Sequence, residues 1–259
     1  MTRVLSGAVL IALAVGVVWF APPVLFFLVG FLIAVLAVNE VVALAHASRL
    51  SVSKSTAGFA TALVVASSGL AGALEIGMMT ALVAVAASSL GAWRGGPEAL
   101  VSVSASLFPS MYIGLPIAAL VGIRKLGGPS VLFLLMLTVI VSDTSQYYTG
   151  RLFGRRPLAP AVSPKKTIEG AVGGLIFGTA LFTIVGMWWL PQVPALFRVV
   201  LGLTIVVLGI AGDLFESMLK RSAGVKDSSA LIPGHGGVLD RIDALLFAAP
   251  VYYIVLKYV

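Results

Sequence analysis

Apolar runs of about 20 residues alternate with short polar connections along this chain, and that rhythm constrains the fold more than any other feature. A bilayer's hydrocarbon core is roughly 30 Å thick, a distance that about 20 residues cross as a helix. Nine runs fit, at 4–20, 23–45, 57–72, 76–92, 101–123, 129–149, 169–190, 196–219 and 240–258. Only 10% of the 259 residues are charged, too few to cover a water-soluble domain. The expected fold is therefore an all-α polytopic membrane protein with about nine transmembrane helices and a polar site facing the cytoplasm. The first run follows Arg3 and is longer than the roughly 7–15-residue core of a signal peptide, so it is read as a retained membrane helix. With no cysteine in the chain, disulfide and thiolate chemistry are excluded.

Lysine and arginine placement orients these helices. The N-terminus and the connections after even-numbered helices hold Arg3, Arg49, Lys54, Arg94, Arg151, Arg155, Arg156, Lys165, Lys166, Lys220, Arg221, Lys226 and Arg241. The opposite side holds Arg124, Lys125, Arg198 and Lys257, which completes the 17. The asymmetry predicts a cytoplasmic N-terminus and an external C-terminus. Three regions are expected: N-terminal membrane helices for packing, dimerisation and lipid access (1–95), a middle helix region (96–128) and a C-terminal catalytic membrane region (129–259). Gly, Ala, Val and Ser dominate from Ser55 to Val121, and Gly170, Gly174 and Gly178 recur every four residues. Both patterns suit close helix packing better than ligand binding. Trp188-Trp189 fits an interfacial aromatic belt.

Polar chemistry concentrates between two apolar runs, from Ser217 to Asp243: SMLKRSAGVKDSSALIPGHGGVLDRID. Asp213, Glu216, Ser217 and Lys220 stand at i, i+3, i+4 and i+7 and share a helix face, as do Asp240 and Asp243. Ser142-Asp143 closes an earlier run on the same side. Three carboxylate-bearing helix ends can thus converge at one depth. Ion pairing with Lys220, Arg221 and Arg241 is the plainer explanation for any one of them. Glu40 is different: it lies within an apolar run, where an ionised carboxylate is costly without a partner.

Oxygen ligands, no cysteine and two histidines suit Mg²⁺ better than zinc. Acids surrounded by Arg151, Arg155, Arg156, Lys165, Lys166, Lys220, Arg221, Lys226 and Arg241 are the ingredients of a polyphosphate site. Gly234-His235-Gly236-Gly237 can offer backbone N–H groups to a phosphate. His235 can serve as a base or a phosphate donor. Ser163-Pro164-Lys165-Lys166-Thr167 leads into Glu169 and the next helix, whose N-terminus Thr167 can cap.

These residues resemble a known signature. The run S-M-L-K-R-(x4)-K-D-x-S-(x2)-I-P-G-H-G-G-V-x-D-R-I-D, Ser217 to Asp243, is similar to that of the phosphatidate cytidylyltransferases, or CDP-diacylglycerol synthases. Gly212-Asp213-Leu214-Phe215-Glu216-Ser217 resembles their G-D-L-x-E-S. Ser163 to Gly170 resembles S-P-x-K-T-x-E-G, and Gly150-Arg151-x-Phe153-Gly154 also fits. One departure stands out. Where the family usually reads S-D-T-G-A-Y, this chain has Ser142-Asp143-Thr144-Ser145-Gln146-Tyr147.

The resemblance implies transfer of the cytidylyl group of CTP to phosphatidic acid, giving CDP-diacylglycerol and pyrophosphate for phospholipid biosynthesis. It further implies Mg²⁺, a second cation such as K⁺, a homodimer in a bacterial inner membrane, and no nucleic-acid partner. Metal-ligand roles carry over to Asp213 and Asp240. Asp243 follows more weakly, because D-R-I-D is one residue shorter than the family's D-R-x-x-D. Lys220, Arg221, Lys226 and His235 join these aspartates as catalytic candidates. Substrate and phosphate contacts are expected from Asp143, Arg151, Ser163, Lys165, Lys166, Thr167, Glu169, Ser217, Asp227, Gly236, Gly237 and Arg241. A CTP-dependent lipid kinase would use the same nucleotide but yield CDP and a lipid phosphate. An ion-coupled transporter would place Asp143, Asp213 and Glu216 near the bilayer midplane and usually shows internal repeats, which this sequence lacks.

Overall fold

The computed structural model describes residues 2–69, 74–232, 234 and 236–258, with side chains from Gly7 onward. It divides into two compact units, Met1–Gly122 with Leu219–Arg241, and Ile123–Met218 with Ile242–Val259. These units interleave along the sequence.

The first unit holds α1 (Thr2–Phe20), α2 (Pro23–Ala47), α3 (Lys54–Ser67), α4 (Leu74–Ala92) and α5 (Ala99–Pro109). Proline at the first turn of α2 loses no helical hydrogen bond there, and its fixed φ restarts the helix after α1. Ser53 caps α3 by accepting from the N–H of Thr56 at 3.3 Å. The His46 ring donates to the Val52 carbonyl at 2.9 Å, closing the connection between α2 and α3. Ala60, Val64, Ala81 and Val85 form a buried core of small side chains. Gly77 of α4 lies so close to Ser67 of α3 that a β-carbon there would overlap the serine. This is the close helix approach that small residues permit. Pro109 has no N–H for the carbonyl four residues back, and the chain continues through a π turn, Ser110–Gly114, into α6 (Leu115–Phe153).

Most of α6 belongs to the second unit. It breaks at Gly128, whose φ of 75° and ψ of −172° precede Pro129. Beyond it come β1 (Pro157–Ala159), β2 (Ser163–Thr167), α7 (Ile168–Trp189), α8 (Ala195–Ser222) and α9 (Leu239–Tyr258). The end of α8 and the start of α9 return to the first unit. Within the second unit Phe182 meets Tyr252 edge-on, with centroids 5.8 Å apart. Tyr252 donates its hydroxyl to the Val131 carbonyl at 3.3 Å. Buried Arg198 is one of the cations assigned to the external side, and it donates to the carbonyls of Leu190 and Val193 just past α7. The glycines of α7 lie against α6: a β-carbon at Gly174 would meet Gln146 and Ser142, and one at Gly178 would meet Ser142 and Val206.

Two sequence expectations are qualified by the structure. Helix occupies each of the nine apolar segments, but among the described residues five helical stretches are long and apolar enough to cross a membrane: α2, α4, the run Ala99–Phe153, α7 and α8. With 14 residues, α3 extends about 21 Å, short of a roughly 30 Å hydrocarbon core. Asp240, Arg241, Asp243 and Lys257 make α9 too polar for the same criterion. The second qualification is a small antiparallel sheet, β1 paired with β2, in a segment expected to be a polar loop. Pro157, Pro160 and Pro164 bar helix there, and extended backbone then pairs across a turn closed by the N–H of Val162 on the Ala159 carbonyl.

Candidate functional site

The polar residues collect in two clusters, one in each unit. In the second unit the hairpin delivers Lys166. Side chains alternate along a strand, so Lys165 faces out, exposed, while Lys166 is half-buried. The Lys166 ammonium pairs with the Asp213 carboxylate of α8, and Ser217 lies one turn further on, its Oγ 3.5 Å from Asp213 Oδ1. Gly212 explains the aspartate's placement. A β-carbon there would come within 2.5 Å of the Asp243 carbonyl oxygen, so α8 and α9 touch backbone to backbone beside Asp213 and Asp243. Asp243 turns its own Oδ1 toward the N–H of Ala244, at 2.8 Å. On α6, Asp143 is close enough for its charge to interact with those of Asp213 and Lys166. It also accepts from the Gln146 amide at 3.0 Å. Gln146, one of the two residues that depart from the family pattern, therefore orients an acid of the cluster.

The remaining residues of this cluster fasten the hairpin. Thr167 caps α7 through the N–H of Gly170 at 3.1 Å. Glu169 accepts from the N–H groups of Arg155 and Arg156 at 3.0 and 3.2 Å, tying α7 to the connection before β1. Gly150, Gly154 and Gly170 crowd around Thr167, and a β-carbon on any of them would press on its hydroxyl. Thus Thr167 and Glu169, expected to bind phosphate, are engaged with backbone groups. Ser163 is half-buried in β2; Arg151 is exposed, its guanidinium 3.4 Å from the Tyr147 hydroxyl.

The cluster of the first unit centres on Asp240, at the start of α9. Its Oδ1 takes the Lys220 ammonium at 2.5 Å, and its Oδ2 takes the N–H groups of Gly237 at 2.7 Å and Ser228 at 3.0 Å. Lys220 is almost completely buried. The glycines here make room for carboxylates. At Gly236, with φ of 79°, a β-carbon would lie 2.6 Å from Asp240 Oδ2. One at Gly237 would overlap Ser228 Oγ and the Glu40 carboxylate. The Gly237 N–H points to Asp240 and those of Val238 and Leu239 to Glu40, so these amides serve carboxylates within the protein. Arg221 donates to the Val225 carbonyl at 3.2 Å. Lys226, Asp227 and Arg241 are exposed. His235 lies outside the described residues.

Glu40, Gln146, Ser228 and Ser229 are site neighbours that sequence reasoning did not assign. For Glu40 a signal exists, a carboxylate within an apolar run, but its partners are 188 to 199 residues away and no local pattern reveals them. Among the described residues, no three His, Asp or Glu side chains are gathered as a metal site. The donor chemistry nevertheless suits a hard cation: Asp143 and Asp213 present oxygen ligands in one cluster and Asp240 in the other, with no sulfur in either.

Relatives of known description bear on this geometry. The chain is 39% identical to a phosphatidate cytidylyltransferase of Helicobacter pylori over 155 residues, 60% of this chain and 58% of that one. It is 37% identical to that of Bacillus subtilis over 149 residues, 57% and 55% of the two chains. Against that of Pseudomonas aeruginosa it is 48% identical over 118 residues, 45% and 44%. The chain spans about half the length of the curated relatives it matches. A profile of the cytidylyltransferase family reaches further, matching residues 1–259. On that match the chain, from its first residue to its last, belongs to the cytidylyltransferase family.

Proposed function

We propose that this protein transfers the cytidylyl group of CTP to phosphatidate, forming CDP-diacylglycerol and pyrophosphate at the cytoplasmic face of a bacterial inner membrane. The Lys166–Asp213 pair carries the reading. It joins two motifs 47 residues apart and sets a phosphate-seeking cation directly beside a metal-seeking carboxylate. A phosphate oxygen of phosphatidate attacks the α-phosphorus of CTP in line. The new bond is phosphatidate O–Pα, the broken one joins Pα to the oxygen bridging to Pβ, and pyrophosphate leaves with that oxygen and the electron pair. The nucleophile is already anionic at neutral pH, so no strong base is required, and catalysis is positioning and charge neutralisation.

Lys166 and Lys220 end in flexible ammonium groups that can exchange an aspartate for a nucleotide phosphate. Exposed Arg151, Lys165, Lys226 and Arg241 draw the polyanion in. Asp213 and Asp243, beside one helix crossing, are proposed Mg²⁺ ligands, as is Asp240. Bound Mg²⁺ supplies charge neutralisation on the triphosphate, and K⁺ is the second cation proposed. His235 is assigned to the pyrophosphate leaving group. Lipid enters sideways so that both acyl chains stay in hydrocarbon, and the protein works as a homodimer.

The test is CTP-dependent nucleotidyl transfer by Asp213→Ala and Lys166→Ala in folded, inserted protein. The proposal expects Asp213→Ala to lose about 100-fold or more in kcat and Lys166→Ala to raise the KM for CTP. Near-normal kinetics in both at saturating Mg²⁺ would overturn it.

A further inference from the structure

We propose that Glu40, in the apolar α2, is a positioning residue that pins Ser228 and Ser229 against Gly237 to Asp240 in their working arrangement. Glu40 is 5% exposed. Its Oε1 accepts from the Ser229 hydroxyl at 2.6 Å and the Val238 N–H at 2.9 Å. Its Oε2 accepts from the Leu239 N–H at 2.8 Å and lies 2.9 Å from Ser228 Oγ. A buried carboxyl on a membrane helix is tolerated only where its oxygens are satisfied, and here both are. The donors are specific ones. The first N–H groups of a helix have no partner within it, and Glu40, on a different helix, accepts the N–H of Leu239, the first residue of α9, and that of Val238 just before it.

The grip extends to Asp240. Ser228 Oγ sits between the two carboxylates, 2.7 Å from Asp240 Oδ2, and its single proton serves one of them at a time. Gly237 is wedged beneath them without room for a β-carbon. Glu40 and Asp240 together therefore hold Ser228, Gly237, Val238 and Leu239, fixing the backbone from which Asp240 meets Lys220. Without Glu40 the hydroxyl of Ser229 and the N–H groups of Val238 and Leu239 lose their acceptor. The segment then loses its fixed geometry although every proposed catalytic side chain is still present.

Two readouts on the full-length protein test this, and only the kinetic one rests on the proposed activity. In hydrogen–deuterium exchange, Glu40→Gln should speed exchange of the 228–240 amides by about ten-fold or more, with α3 and α4 unchanged. In kinetics with CTP and phosphatidate, Glu40→Gln should lower kcat by about 10- to 100-fold and leave the KM for phosphatidate within about two-fold. Glu40→Asp, which keeps the carboxylate, should recover part of both effects. If Glu40→Gln does not fold, Ser229→Ala removes one Glu40 contact and should speed exchange in the same segment by about two- to five-fold. Unchanged exchange in 228–240 overturns the proposal, as does raised exchange with wild-type kcat. If wild-type protein makes no CDP-lipid, the activity reading fails and the exchange experiment alone decides the role of Glu40.

Discussion

Replacing Lys220 by methionine isolates the energetics of the more enclosed lysine–aspartate pair. The two side chains are 10% and 7% exposed, so solvent screens the pair little. Removing one partner leaves a buried charge uncompensated, which costs about 3–5 kcal/mol. Asp240 would keep the N–H groups of Ser228 and Gly237 and the nearby Ser228 hydroxyl, which places the expected loss near the lower end, about 3 kcal/mol. For a chain of this size each kcal/mol moves Tm by about 2–4 °C, so Lys220→Met should unfold roughly 6–12 °C below wild type. The assay is thermal unfolding in one detergent at one scan rate, with Asp240→Asn and the double variant alongside. Removing both charges should be gentler than removing Lys220 alone, leaving the double variant within about 4 °C of wild type. A Lys220→Met protein melting within about 2 °C of wild type would show that the pair does not stabilise the fold in this way. So would a double variant that loses the sum of the two single effects.

Gly212→Ala should be destabilised by about 1–3 kcal/mol through overpacking, because the added carbon meets the Asp243 backbone and cannot be relieved by a rotamer change; thermal unfolding would show it, and an unchanged Tm would contradict the close α8–α9 contact. Thr167→Val removes the cap of α7 at a cost of about 1 kcal/mol, seen as faster exchange in the first turn of α7. Gln146→Ala frees Asp143 from its amide partner, a loss of about 1 kcal/mol or less, and kcat/KM should fall by no more than roughly five-fold.

Most of the helical segments are legible in the sequence because apolar length alone dictates them in a bilayer. The span count is less so. Apolarity from 57 to 72 predicts a crossing; α3 covers that run as far as Ser67, and residues 70–72 lie outside the described ones. The hairpin escapes a hydropathy reading because its strands are too short and polar to alternate, although the prolines already exclude helix. At the site, helix periodicity places Ser217 one turn from Asp213, as observed. It cannot say that Lys166 reaches Asp213 or that Lys220 reaches Asp240, since those partners come from separate elements. Nor does it say that Gly236 and Gly237 make room for the carboxylates of Asp240 and Glu40. Glu40 is legible as a problem, a buried acid needing donors, and its solution appears only in the fold.

Cytidylyl transfer requires that the α-phosphorus of CTP ends on the lipid. Purified protein supplied with phosphatidate, Mg²⁺ and CTP labelled separately at the α- and γ-phosphates tests it directly. Cytidylyl transfer predicts the α-label in a CDP-lipid and the γ-label in pyrophosphate, in equal amounts and only when phosphatidate is present. Label from the γ-position in the lipid with release of CDP, or no phosphatidate-dependent consumption of CTP, would contradict it.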